Sequence, residues 1–473
     1  MSRWGIDAHR IAAALAAVRP PGRTVEDALG DDGAAALDDV LAGTVDDTLD
    51  EALDQTLDDT LDQTLDGADE PGELDTLFAR AIWSVLVEPG DSVAGALIAA
   101  VGPVASARMV IDRVSPETIT EATRGDVSAE RAREGLLRWT ERLRAADVLR
   151  SLESAARCGA RMVVPGDAYW PAGMSALGDS PPVMLWARGD LELLRRPAVA
   201  IVGARAATGY GEHVAMEFAA GLCARDVVVV SGGAYGIDGM AHRAALASGG
   251  ATIAVLAGGI DRLYPSGHEA LLTRVAEQGL LLSEVPCGTP PTKWRFLQRN
   301  RLIAALSAAT VVVEAGRRSG SLNTAGHALE MGLPVGVVPG PITSAASAGC
   351  HATLRTHPVA CVTSVAEIMQ LAFDADGVLS IPDALTNKKE NEEKAEEETP
   401  PPLQTTEPLQ VRVIDALRPR RGQSPAELAR AVGEGSDRIR AVLGMLDLDG
   451  RAALGADGLW RTAAVQAHAT RAS

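Results

Sequence analysis

Lysine is almost missing from this chain. Only four of its 473 residues are lysine, and three of them (Lys388, Lys389, Lys394) share one short stretch. Positive charge is otherwise carried by arginine, so Lys293 marks a place where a compact ammonium is used. Cysteine is sparse: Cys158, Cys223, Cys287, Cys350 and Cys361 are odd in number and form no CxxC pair. That argues against a disulfide framework or a zinc site, and for small buried apolar residues in a reducing compartment. Long apolar runs are lacking as well, with none expected to reach the roughly 18 residues of a membrane span. The apolar stretch at 11–18 is followed by Arg-Pro-Pro-Gly instead of a small-residue cleavage site, so it reads as a helix.

Basic residues are absent altogether between residues 26 and 75, where 19 acids occur. Removing these from the chain's 63 acids leaves 44 against 44 Lys and Arg, so the net charge of -19 belongs to one segment. Within it a unit repeats every four residues, setting Leu49, Leu53, Leu57, Leu61 and Leu65 in step. That spacing drifts around a helix, and unbroken like charge opposes folding, so a solvated, disordered insert is expected. A partner-binding helix and a polyanion mimic are the alternatives. A second break, at residues 387–408, mixes charges and prolines as linkers do. These breaks divide the chain into an N-terminal segment (1–72), a small helical domain (73–150), a central domain (151–374), a linker (375–408) and a C-terminal unit (409–473).

The central domain alternates short β-branched runs with helix-length amphipathic stretches. The runs fall at 198–202, 227–230, 252–256, 280–283, 310–313 and 334–338, and the helices at 211–224, 239–247, 268–277, 301–307 and 321–331. This order predicts an α/β fold with a parallel sheet covered on both faces. Ligands of such sheets bind beyond the carboxyl ends of the strands.

Three of those strand ends are glycine-rich. The first carries Gly203-Ala204-Arg205 ahead of Gly209 and Gly211. The second carries Ser231-Gly232-Gly233-Ala234 and then Gly236-Ile237-Asp238. The third has Gly316 and then Ser319-Gly320-Ser321 opening a helix. Backbone amides in such turns approach an anion closely, and a helix N-terminus adds partial positive charge, so three together point to a phosphate-rich ligand. A dinucleotide fits poorly. Arg205 occupies the second glycine position of GxGxxG, and Ser231 stands where an acid would hold a ribose. No cofactor, metal or catalytic residue is expected.

The segment Lys293-Trp294-Arg295-Phe296-Leu297-Gln298-Arg299-Asn300-Arg301 holds four cations and no acid around two aromatics. Cations that follow phosphates beside an aromatic that stacks on a base suit a single strand. The alternative is an aromatic packed under the domain with solvated arginines around it. Residues 195–361 carry 14 Lys and Arg against 10 acids, a mildly basic core in an acidic chain.

Further motifs join these: Tyr169-Trp170-Pro171, Pro181-Pro182-Val183, Arg188-Gly189, SGGAYGID from Ser231, and Gly259 with Asp261 and Tyr264-Pro265. Ser283-Glu284, Glu314, SGSLNTA from Ser319 and Val338-Pro339-Gly340 continue the series. Over residues 163–365 the chain thereby resembles the DprA/Smf family of DNA-processing proteins. The resemblance implies a Rossmann-like, doubly wound, mostly parallel sheet in a cytoplasmic homodimer. It also implies non-specific binding of single-stranded DNA, protection of incoming DNA and loading of the recombinase RecA in natural transformation. It maps the family's loop arginine to Arg205 and its DNA-contacting lysine and phenylalanine to Lys293 and Phe296. With the loops and the 293–301 segment, the expected DNA-binding set is Gly203, Ala204, Arg205, Ser231, Gly232, Gly233, Ala234, Lys293, Phe296, Arg299, Asn300, Arg301, Ser319, Gly320 and Ser321. The chain departs from the family pattern at Leu297, where the family has proline. It departs again at Gly349-Cys350-His351-Ala352-Thr353-Leu354 and His357-Pro358, in place of GxNxLI and Gly-Ala.

The flanking units are expected to be a small helical domain of SAM or helix-hairpin-helix type and a winged-helix-like C-terminal domain. In the latter, Ser424-Pro425 caps a helix, a second helix starts at Ser436, and a wing forms near 455–461. Arg438 and Arg440 could read a duplex, but 9 bases against 7 acids over 409–461 suit protein contact at least as well. Two rival functions remain at this level. One is a nucleotide phosphoribohydrolase-like enzyme using Asp238, Glu284 and Glu314, although its PGGxGTxxE run is missing. The other is a transcription regulator built on the winged helix.

Overall fold

The computed structural model describes residues 4–6, 8–20, 72–373, 409–419, 421–455 and 457–463. The leucine repeat and the linker lie outside these residues.

An N-terminal layer contains α1 (Ala8–Ala16), α2 (Glu73–Leu86), α3 (Ser92–Ile111), α4 (Pro116–Ala122), α5 (Ala129–Thr140) and α6 (Ala145–Arg157). Trp83 and Trp139, both fully buried, meet edge to face at 5.0 Å in its centre. The residues before the acidic repeat join this layer. Trp4 donates its indole N–H to Asp75 at 2.9 Å, and Arg19 forms a buried two-point ion pair with Asp167, both bonds 2.8 Å. Helix α6 runs across the division expected at 150/151, and the layer's core continues into Met184, Trp186 and Leu281 of the central domain.

Helix α3 corrects one expectation. It is long and apolar enough to cross a membrane by length and composition. Gly102, at φ 81°, breaks it ahead of Pro103, and Leu97, Val104, Ala107 and Val110 are buried in the helical core.

The central sheet has strands β1 (Arg161–Val163), β2 (Leu185–Gly189), β3 (Ala198–Val202), β4 (Val228–Ser231) and β5 (Thr252–Leu256). It continues with β6 (Leu280–Ser283), β7 (Ala309–Val312), β8 (Val335–Val337) and β9 (Ala360–Cys361). Their order is β1-β2-β6-β5-β4-β3-β7-β8-β9, with parallel pairing from β6 to β9 and antiparallel pairing of β2 with β6 and β1. The fold is therefore Rossmann-like and doubly wound. The chain moves outward from β3 to β6, then returns to the other side of β3 as β7. That reversal opens a crevice above the carboxyl ends of β3 and β7.

Both faces of the sheet are covered, which is why its strands read as continuous apolar runs. Val199 and Ile201 of β3 face α7 (Gly209–Cys223) and α8 (Ile237–Ala247). Ala200 and Val202 face the layer of α10 (Lys293–Ala305) and α11 (Gly320–Glu330), while α9 (Glu269–Gln278) packs on the helical core. Helices α12 (Ala348–Thr356) and α13 (Val365–Phe373) close the β9 end.

The C-terminal unit has winged-helix order: α14 (Leu409–Ala416), α15 (Pro425–Val432), α16 (Ser436–Leu448) and a hairpin of β10 (Ala452–Leu454) with β11 (Trp460–Thr462). Ser424 and Glu427 form the expected cap reciprocally, with bonds of 3.1 and 2.7 Å. A charged node around Glu88 helps to dock the unit. Glu88, in the turn between α2 and α3, accepts from Arg295 of α10 at 2.6 and 3.0 Å and also pairs with Arg142. Arg142 donates on to the Arg430 carbonyl of α15 at 2.8 Å, and the Arg412 guanidinium lies 4.7 Å from the Trp294 ring centroid. Burial would push the Glu88 carboxyl up, but Arg295 and Arg142 overcome this and hold it down at about 2.

Candidate nucleic-acid interface

The three glycine-rich turns share one edge of the sheet and are bonded to one another. The Ala204 amide donates to the Glu314 carbonyl beyond β7 at 2.7 Å, and the Ile237 amide donates to the Ala204 carbonyl at 3.2 Å. Gly236 has to be glycine: its φ is +74°, and a Cβ there would stand 2.2 Å from the Ala204 carbonyl oxygen. Gly203 is equally confined, since its Cβ would lie 2.5 Å from Ile237.

Several amides of these turns are satisfied from within. Gly232 and Ala234 donate to the Asp238 carboxylate at 3.1 and 3.4 Å. Glu314, fully buried, accepts from the Thr208 amide and hydroxyl at 2.9 and 2.6 Å at the start of α7. A protein carboxylate thus sits where a dinucleotide binder would receive pyrophosphate. Ser319 caps α11 by accepting from the Ser321 amide at 3.4 Å, and the two hydroxyls lie 2.7 Å apart. Ser231 is buried, donating to the Ile201 carbonyl at 2.6 Å. Among the described residues the amides of Arg205 and Gly233 have no protein acceptor.

The 293–301 segment folds as the first two turns of α10, longer at its start than the sequence suggested. Exposure falls along the length of this segment as the helix runs under the turns. Lys293 is exposed and Phe296 half-buried, whereas Arg299, Asn300 and Arg301 point inward. Arg299 donates to the carbonyls of Gly232, at 2.6 Å, and of Val255. Asn300 donates to the Gly320 carbonyl at 3.2 Å and to Asn323 at 3.1 Å. Arg301 grips both Glu284 oxygens at 2.6 Å. These three residues fasten the turns from beneath. Trp294 likewise belongs to the interdomain seam. Burial lowers the Arg299 guanidinium to about 10, so it stays cationic at neutral pH, and burial raises Asp238 against the pull of Arg299.

What fronts the crevice is a cluster around the Phe296 ring. Arg205 Cζ lies 5.0 Å from its centroid, Arg299 Cζ 5.6 Å, and the Tyr264 ring 5.6 Å away. Arg205 and Tyr264 are exposed, so cation, ring and solvent meet at one point. Sequence reasoning missed Tyr264 as a contact, along with exposed Tyr235, Arg317 and Arg318. The signal was available. In a chain with 3% aromatics, Tyr264 beside a proline in a loop is unusual, and Arg317-Arg318 lie inside a glycine-rich turn.

The rival sites lose their free groups. Asp238, Glu284 and Glu314 are each engaged by the backbone or by arginine as described. In the C-terminal unit, Arg438 pairs with Glu434 at 3.5 Å and with Glu134 of the helical domain at 3.7 Å, and Arg440 pairs with Asp437.

Comparison with known proteins agrees with this architecture. A family model described as "DNA recombination-mediator protein A" matches residues 161–373. A putative DNA processing protein DprA of Mycobacterium tuberculosis is 49% identical over 308 residues, covering 62% of this chain and 75% of that protein. Protein Smf of Escherichia coli is 38% identical over 270 residues, covering 56% and 71%. The X-ray structure of DprA from Streptococcus pneumoniae superposes with a TM-score of 0.50 at 30% identity, covering 62% of this chain and 96% of that one.

Proposed function

We propose that this chain, which belongs to the DprA/Smf family of DNA-processing proteins, binds single-stranded DNA along the crevice between β3 and β7. The family is one of DNA-processing proteins and not of enzymes. The observation that carries the reading is the Arg205–Phe296–Tyr264 cluster at the mouth of the crevice. An unpaired base stacks on the half-buried Phe296 ring, and Arg205 and Lys293 neutralise the flanking phosphates. Arg317 and Arg318 extend the phosphate track, and the amides of Arg205 and Gly233 complete it. Duplex bases are already stacked and cannot use this ring, so the site prefers single strands.

Further parts of the role rest on family membership: protection of incoming DNA, delivery of the strand to RecA in natural transformation, and action as a cytoplasmic homodimer. The description of the matching family as a recombination mediator supports the delivery step.

The test is fluorescence anisotropy on a short oligothymidylate with wild type, Arg205→Ala and Lys293→Ala. Each substitution weakens binding and flattens the log–log salt slope by about 0.7, the share of one phosphate. Unchanged affinity and slope in both variants would overturn the site.

A further inference from the structure

A basic groove lies where the helical domain meets the C-terminal unit. It encloses about 610 Å³ and is lined by Arg113, Arg133, Arg144 and Arg430, with apolar side chains such as Val114 and Leu137 between them. Leu137 is half exposed. Arg133 pairs weakly with Glu117 at 3.8 Å. Arg113, Arg144 and Arg430 form no ion pair with any described carboxylate. The one acid in the lining, Glu141, already accepts from Ser436 at 2.6 Å. Three open guanidinium groups over an apolar wall call for a ligand that alternates anionic and flat apolar parts. A nucleic-acid strand has that alternation, with phosphates for the arginines and bases for the leucine surface.

The groove is also tied, through buried contacts, to the helix that borders the crevice. The Arg430 carbonyl accepts from Arg142, the next carbonyl, of Ala431, accepts from Arg295 at 3.5 Å, and Arg295 lies two residues from Lys293 on the first turn of α10. These contacts bring Arg430 near the helix turn that carries Lys293.

We propose that this groove is a second site for the same single strand, engaged only by DNA long enough to run past Lys293. The inference rests on the crevice reading given above. It makes the C-terminal unit half of a DNA channel, which explains how a winged-helix order serves this protein while Arg438 and Arg440 are tied to acids.

The experiment compares the full-length chain with the triple variant Arg113→Ala/Arg144→Ala/Arg430→Ala on oligothymidylates of about 6 and about 20 nucleotides, lengths near and beyond common single-strand site sizes. A thermal melt of each protein checks folding. On the short oligomer the triple variant binds within about twofold of wild type. On the long one its affinity falls at least tenfold, and its salt slope drops by about 2, the share of three phosphates. Equal binding of the long oligomer by both proteins, or equal loss at both lengths, would overturn the inference. Failure of wild type to bind the short oligomer would instead remove the crevice reading beneath it.

Discussion

The guanidinium of Arg205 lies over the ring of Phe296, 5.0 Å from Cζ to centroid, although the two residues are 91 positions apart in the chain. The contact joins the turn after β3 to the first turn of α10. An exposed cation–π pair is worth only about 0.5–1 kcal/mol, so this one contributes little to holding the fold. Its value is in keeping a ring and a positive charge at one spacing, ready for a base and its phosphate.

Phe296 is expected to carry stacking energy that a merely apolar residue cannot replace. Phe296→Leu preserves packing against Tyr264 but loses the π-face, so oligothymidylate binding weakens by about 1–3 kcal/mol, the size of one base–aromatic stack. The melting temperature moves little. Titrations of both proteins at one salt concentration check this.

Arg299 behaves differently from Arg205 although both carry the same charge beside the same ring. Removing Arg299 leaves the carbonyls of Gly232 and Val255 and the Asp238 carboxylate without their buried partner. Arg299→Ala is expected to cost about 3 kcal/mol or more of stability, as when one member of a buried pair is removed. Affinity for DNA falls with it. Arg205→Ala weakens binding alone. Parallel urea unfolding and anisotropy measurements separate the two.

The contrast shows where sequence reading stops. Six of the seven parallel strands were legible, because runs such as AVAIV and VVVV are buried on both faces. Strands β1, β2 and β9 were not, being short or broken by arginine and glycine. The grouping of three turns on one edge was also legible. The division of residues 293–301 into a fronting and a buried set was not, because an arginine that binds a carbonyl 44 or 67 residues away has the same local sequence as one facing solvent.

Glu88 links the helical domain, α10 and, through Arg142, the C-terminal unit. Glu88→Gln leaves Arg295 and Arg142 facing each other without the charge that balances them, an expected loss of about 3–5 kcal/mol. Limited proteolysis then releases the C-terminal unit more readily. The folded carboxyl sits at about 2, below its usual 4.5, so its contribution is complete above the usual value and is lost as pH falls toward 2. The stability gap between wild type and Glu88→Gln therefore narrows over that window, as urea midpoints measured stepwise below pH 6 will show.

Gly236 tests the mutual support of the turns. Alanine there combines a left-handed backbone, about 1–2 kcal/mol, with a clash against the Ala204 and Arg205 carbonyls, neither of which can rotate away. Gly236→Ala is expected to lower the melting temperature and to weaken DNA binding through displacement of Arg205. Gly249→Ala, at a similar φ but with open space around it, lowers stability without that loss of binding.

The central claim is that a single strand lies on the edge between β3 and β7 with a base on Phe296. Photo-crosslinking of an oligothymidylate carrying one 4-thiothymidine, followed by mass spectrometry of the crosslinked peptide, tests it most directly. The account predicts crosslinks at Phe296 and Tyr264, lost on competition with unlabelled single strand and retained against duplex. Crosslinks confined to the C-terminal unit, or competed equally well by duplex, would contradict it.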